Sequence, residues 1–233
     1  MTATEPLPPN NASRVLIASN RRAGARSGED AVRRVTGQLR DCGFQVEEYA
    51  EFEALKSAAS EALDSGALRA VVAAGGDGTV AAVVNETRPE TPIAVLPLGT
   101  ENLLAKYLGY TLDPAALCRT IQRGETIRLD AGCANRRVFL LMLGCGLDAE
   151  VVRRLHADRR DNIRHLSYAK PILDSLRSYE YPEMRVYCEG EKRPGASPAD
   201  RDMGCDEPQH PLTARWAFVA NLPCYASGLK IAP

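Results

Sequence analysis

The residues Gly75-Gly76-Asp77-Gly78-Thr79 follow directly on the apolar run Ala70-Val71-Val72-Ala73-Ala74. Three glycines in five positions let a backbone bend sharply and approach a ligand closely. The amides of such a turn, and of the helix that it opens, favour a phosphate. Asp77 has the charge of a phosphate and cannot attract one directly. It suits a cation that travels with phosphate, or it can accept from a sugar hydroxyl or a backbone amide.

A second turn of the same kind is Pro97-Leu98-Gly99-Thr100-Glu101-Asn102, some 20 residues later. Pro97 fixes the exit from a strand, Gly99 permits a close turn, and Thr100 can cap the helix that follows. The Thr100 hydroxyl and the Asn102 amide can both face a nucleotide. Taken alone, this turn reads equally well as an ordinary strand–turn–helix cap. The two turns together, at neighbouring strand ends, point to phosphate. A third loop, Asn20 to Gly28, carries Arg21, Arg22 and Arg26, which can meet phosphates. It is not a P-loop, because no Gly-Lys-Ser or Gly-Lys-Thr follows its glycines.

Other groups carry less chemistry. Gly144-Cys145-Gly146-Leu147-Asp148-Ala149 reads as backbone crowding, against either a ligand or another strand. Asp130 is read more readily as a cap than as a cleft acid. Arg153, Arg154, His156, Arg159, Arg160, Arg164 and His165 form a basic stretch. It is equally a solvated helix face or a patch for an anionic membrane surface. Seven cysteines without a C-x-x-C pair, and three scattered histidines, argue for buried thiols in a reducing compartment and against zinc.

The elements that must hold these turns are short strands alternating with longer helices. Strands are predicted at 14–19, 44–49, 70–74 and 93–96. Helices are predicted at 29–42, 54–65, 79–87, 102–107 and 114–122. This pattern predicts a mostly parallel sheet covered on both faces, with ligands beyond the C-terminal ends of its strands. After about residue 124 the texture becomes β-rich, with strands expected at 126–131, 138–143, 184–188 and 216–220. Helices are expected at 148–155 and 162–176. The expected organisation is thus a disordered lead-in at 1–12, an α/β nucleotide-binding domain at 13–125, and an incomplete, sandwich-like β domain at 126–233. A mobile loop is expected at 190–211.

The chain has 233 residues, a formal net charge of −1 and 45% hydrophobic residues, so no global field recruits nucleic acid. No apolar stretch approaches the roughly 20 residues that cross a bilayer, and the N-terminus does not read as a signal peptide.

In order along the chain, GGDGT at Gly75–Thr79, PLGTEN at Pro97–Asn102, GCGLDAEVV at Gly144–Val152 and ANLPCYASGLKIAP at Ala220–Pro233 resemble the diacylglycerol kinase catalytic-domain superfamily. The likeness is to its bacterial lipid kinase branch, which includes sphingosine kinase-like enzymes, and it runs along nearly the whole chain. It implies a two-domain enzyme with ATP between an α/β domain and a β-sandwich, and Mg²⁺ accompanying the ATP. Gly75, Gly76, Asp77, Gly78 and Thr79 would cradle the phosphates, with Gly99, Thr100 and Asn102 beside them. Asn20 and Arg22 would approach the nucleotide. Asp77 would be the catalytic acid that organises the Mg²⁺–phosphate region, and Asp77→Asn would abolish transfer with the fold intact.

A lipid hydroxyl at a membrane surface would attack the γ-phosphorus. The implied location is cytoplasmic and peripheral to the membrane, and a homodimer is compatible with it. The chain departs from the pattern at Leu103, where the family usually has Asp. The acidic motif expected to hold the general base would lie beyond Pro233. An NAD kinase-like enzyme and a non-catalytic nucleotide- or lipid-binding module are the two alternatives.

Overall fold

The computed structural model describes residues 2–6, 12–19, 26–157, 169–187, 212–225 and 229–230. Asn20, Arg21, Arg22 and the expected loop at 190–211 lie outside the described residues. So do Arg159, Arg160, Arg164 and His165.

Strand β1 covers Thr2–Pro6 and β2 covers Arg14–Ser19. Helix α1 (Arg26–Asp41) leads to β3 (Gln45–Tyr49), and α2 (Phe52–Asp64) leads to β4 (Leu68–Gly75). Next come α3 (Asp77–Glu86), β5 (Ile93–Pro97), α4 (Leu103–Tyr107) and α5 (Pro114–Arg123). Four short strands follow: β6 (Glu125–Arg128), β7 (Gly132–Ala134), β8 (Arg137–Phe139) and β9 (Met142–Cys145). Helices α6 (Leu147–Ala157) and α7 (Ala169–Ser178) precede β10 (Met184–Val186), β11 (Leu212–Ala214), β12 (Ala217–Ala220), β13 (Cys224–Tyr225) and β14 (Leu229–Lys230).

The central sheet has the order β3-β2-β4-β5, and every pairing in it is parallel. Strands β2, β4 and β5 are mostly apolar on both faces because both faces are covered, while the edge strand β3 carries Glu47 and Glu48. Val15, Ile17, Val72 and Leu96 pack with Val35 and Leu39 of α1 and Leu117 and Ile121 of α5. Leu16, Val71 and Val95 pack on the other face with Leu55 of α2, Val83 of α3 and Leu104 of α4. The expected α/β fold class, with smaller antiparallel pieces after it, is the one observed.

Parallel register brings the C-terminal strand ends to one rim: Ser19 pairs with Ala74, and Gly75 pairs with Pro97. The chain leaves β2 toward β3 on one side and later proceeds from β4 to β5 on the other. The strand order therefore reverses between β2 and β4, the place where open α/β sheets leave a crevice for ligands. The C-terminal ends of β2 and β4 flank that point.

Two expectations are corrected. The first concerns the lead-in at 1–12. Within it, Thr2–Pro6 is a strand, antiparallel to β6 with an irregularity between Thr2 and Glu5. Pro6 lies in an edge strand, β1 pairing with β6 in a two-stranded sheet, where a missing N–H is tolerated.

The second is the strand expected at 138–143, which is broken. Leu140 and Leu141 leave the ladder to pack against the core of the sheet's second face. The Asn221 side chain donates to the carbonyls of Leu140 (2.8 Å) and Asp130 (2.7 Å), and the amides of Asn221 and Leu222 donate to Leu141.

By its internal contacts the chain divides into Met1–Met142 with Ala220–Pro233, and Leu143–Val219. Residues 126–142, expected in the second domain, group with the first unit. One reason is Asn85 of α3, whose side chain pairs with both backbone groups of Val138 in β8 (2.8 and 2.9 Å). In the second unit, β10 and β11 are antiparallel and α6 packs on α7. Among its described residues only Val151 and Ser175 are buried.

Candidate functional site

Gly75 ends β4, and Gly76 is the N-cap of α3 in extended backbone. A side chain on Gly75 would run into the buried Thr79, so Thr79 serves to pack the turn from below. The amide of Leu98 donates to the Gly75 carbonyl at 3.0 Å, which joins the second turn to the first. A Cβ built on Gly76 would lie 3.1 Å from the Cα of Gly99, so the two turns touch backbone to backbone. Leu98 also lies 3.7 Å from the Cβ position of Gly28 in α1. The helix that follows the arginine loop therefore reaches the same rim.

Asn102 adopts the left-handed conformation (φ 51°, ψ 48°). Its side chain turns back on its own loop: Oδ1 accepts from the Gly99 amide at 2.9 Å, and Nδ2 donates to the Gly99 carbonyl at 2.7 Å. Asn102 thus closes the loop 99–102. Its side chain does not cap α4, and Thr100 is exposed at the tip of the loop. The first amides of α4 are met by a group 26 residues before Leu103. Asp77 accepts from the amide of Leu103 (Oδ2, 3.0 Å) and from that of Leu104 (Oδ1, 3.1 Å). A carboxylate at a helix start satisfies two donors that would otherwise be orphaned. Leu103, at the place of the family's usual Asp, is buried, and only its amide meets Asp77.

Gly78 differs from its neighbours. It is exposed in the first turn of α3, and a Cβ added to it would meet nothing within 4 Å. Its φ is not in the left-handed region. Neither conformation nor internal packing requires glycine there, and in a helix it costs about 1 kcal/mol relative to alanine. The amides of Thr79 and Val80 are taken by the Gly76 carbonyl. Those of Asp77 and Gly78 stand at the helix start, with no carbonyl one turn back to receive them.

The model of the diacylglycerol kinase catalytic domain matches residues 14–134, just over half of the chain. The chain belongs to this family. It is 31% identical over 151 residues to a "Probable lipid kinase YegS-like" of Pseudomonas aeruginosa, a match that takes in 62% of this chain and 49% of the relative. It is 28% identical over 124 residues to a diacylglycerol kinase of Bacillus subtilis, covering 52% and 41%. The chain thus spans about half the length of these curated relatives. The crystal structure of a Bacillus anthracis diacylglycerol kinase superimposes with a TM-score of 0.53, at 21% identity, over 76% of this chain and 60% of that one. A second structure from that organism gives 0.63, at 20% identity, over 95% and 70%. These structures share the fold.

The structure brings together the family's two glycine turns, with Gly75, Gly76, Asp77, Gly78, Thr79, Gly99, Thr100 and Asn102 at one rim. The bond from Asp77 to α4 has no local signal in the sequence. Among the described residues no group of three or more His, Cys, Asp or Glu could hold a metal. None of their helices is long and apolar enough to cross a membrane.

The GCGLDAEVV segment is accounted for by packing. Gly144 makes room for Asp148, and a Cβ on Gly146 (φ 102°) would lie 2.9 Å from the Arg215 carbonyl. Arg153 and Arg154 of the basic stretch are tied to Glu150 in three hydrogen bonds of 2.7 to 2.8 Å. These bonds hold the Glu150 carboxyl far down, at about 2.

Proposed function

We propose that this chain carries the nucleotide site of an ATP-dependent kinase acting on a lipid hydroxyl, that of diacylglycerol or a related amphiphile. The observation that carries the reading is Gly78: a helix glycine with open space around it, beside a Gly76–Gly99 contact that admits no side chain. What glycine offers at such a place is room for a ligand to reach the backbone. The Asp77 and Gly78 amides would donate to a phosphate, and the start of α3 would add its partial positive charge. The loop after β2 would bring Asn20 and Arg22 to the phosphates from across the crevice. Asn102 would keep the second loop closed, with Thr100 at its tip.

Asp77 has a double role in this reading. Its bonds to Leu103 and Leu104 position the second turn against the first. Each carboxylate oxygen keeps a further lone pair, which would hold a water on Mg²⁺. One acid beside several amides suits an ion that keeps most of its waters and takes phosphate oxygens as ligands. When bound, Mg²⁺ would offset the charge of the β- and γ-phosphates. We assign no proton acceptor for the lipid hydroxyl among the residues of this rim. A peripheral place at the cytoplasmic face of a membrane goes with a lipid substrate.

The test is transfer of labelled γ-phosphate from ATP, with Mg²⁺, to diacylglycerol or a sphingoid base in mixed micelles, with NAD as the competing acceptor. We expect label in a lipid. Label in NAD alone would replace the reading by dinucleotide phosphorylation. ATP binding with no acceptor labelled would leave a non-catalytic nucleotide module.

A further inference from the structure

The hairpin of β7 and β8 turns on Asn135 and Arg136, between the paired residues Ala134 and Arg137. Both turn residues have positive φ, 51° and 65°. A two-residue hairpin of this hand needs that geometry, and Asn-Gly meets it without strain. Arginine in the second position keeps a Cβ where glycine would have none, so the backbone is strained there.

No contact of the Arg136 side chain within the described residues offsets this strain. Arg136 and Arg137 are exposed, and neither guanidinium has a hydrogen bond or ion pair among the described residues. Many other cations of the same unit are engaged: Arg14 with Glu47 and Glu61, Arg88 with Asp64, Arg119 with Asp113, and Arg69 with two carbonyls. The hairpin itself is fixed. Asn85 holds Val138 by two hydrogen bonds and bonds back to Ala81 of its own helix, and the Phe139 ring lies over Gly132.

Two adjacent cations without a partner among the described residues thus stand on a firm base in a strained backbone. We propose that the Arg136–Arg137 tip docks this unit on the phosphates of an anionic phospholipid bilayer. The inference rests on the lipid-kinase reading. Nucleotide phosphate is a poorer occupant, because Asn85 stands at the far end of α3 from Asp77. From Asp77 to Asn85 this helix rises eight residues, about 12 Å, beyond the reach of an arginine side chain. The sequence-level candidate for the same task, the stretch from Arg153, has its first two guanidiniums committed to Glu150.

The experiment is co-sedimentation of the full chain with phosphatidylcholine vesicles, with and without phosphatidylglycerol, at low ionic strength. Wild type should bind only the anionic vesicles. Arg136→Gly should weaken binding about fivefold, and the double variant with Arg137→Gln about 25-fold, each charge near the surface contributing alike. Arg136→Gly should also raise the melting temperature by about 2–4 °C, since it relieves the turn. Losing two exposed arginines elsewhere, Arg34→Gln with Arg123→Gln, should leave binding within about twofold of wild type. ATP affinity, measured on the same variants, should not change, so failure of the kinase reading shows separately as absent ATP binding in wild type. The inference is overturned if the double variant sediments like wild type. It is overturned equally if the loss appears in ATP affinity instead.

Discussion

Gly99 rests on Gly76 so closely that a Cβ on Gly99 would lie 2.5 Å from the Cα of Gly76. The two glycine turns of the family are therefore one structure, made of two backbones in contact. Gly99→Ala cannot be absorbed by rotating a side chain, because the obstacle is main chain. We expect a loss of about 1–3 kcal/mol in urea unfolding, the usual cost of overpacking. A variant as stable as wild type would show that the turns are not in contact in solution.

Asp77→Asn is not a silent change for the fold. The aspartate accepts from two amides, and an asparagine can accept from only one of them while turning its own NH₂ toward the other. A buried donor left unmet costs about 1–3 kcal/mol. Hydrogen exchange at Leu103 and Leu104 should rise in this variant by more than the global loss of stability requires. Unchanged protection at these amides would mean that Asp77 does not hold α4.

Glu150 sets a pH dependence of the second unit. Arg153 and Arg154 lower its carboxyl from the ordinary 4.5 to about 2. A group with a depressed folded value stabilises above its unfolded value and loses that contribution as the pH falls toward the folded one. Glu150→Gln should therefore melt below wild type at neutral pH. The gap should close between about pH 4.5 and pH 2, as followed by circular dichroism. Melting curves that stay parallel through this window would contradict the assignment.

The parts of this site that were legible in the sequence are local ones. Ala70–Ala74 is an apolar run closed by glycine, and buried parallel strands have to look like that when both faces are covered. The strand ends and their turns followed from this. Asp77 reads from the sequence as a residue of the turn, but its partners do not, because they lie 26 and 27 residues along the chain. Asn102 looked like a residue facing a nucleotide, yet a left-handed backbone turned its side chain onto Gly99. Thr2–Pro6 carries no strand signal of its own, because a proline-bearing polar segment gains its pairing from β6, which lies far along the chain. The break at Leu140 and Leu141 was hidden for the same reason, since Asn221 lies about 80 residues away.

The most direct measurement is the affinity of Gly78→Val for ATP with Mg²⁺, taken by isothermal titration beside its thermal stability. Nothing lies within 4 Å of the Cβ position at Gly78, and valine is no worse than glycine in a helix. We expect a melting temperature equal to wild type or slightly higher, with ATP affinity reduced at least about tenfold, equivalent to about 1.4 kcal/mol. A Gly78→Val protein that folds normally and binds ATP as wild type does would show that no phosphate sits against this turn.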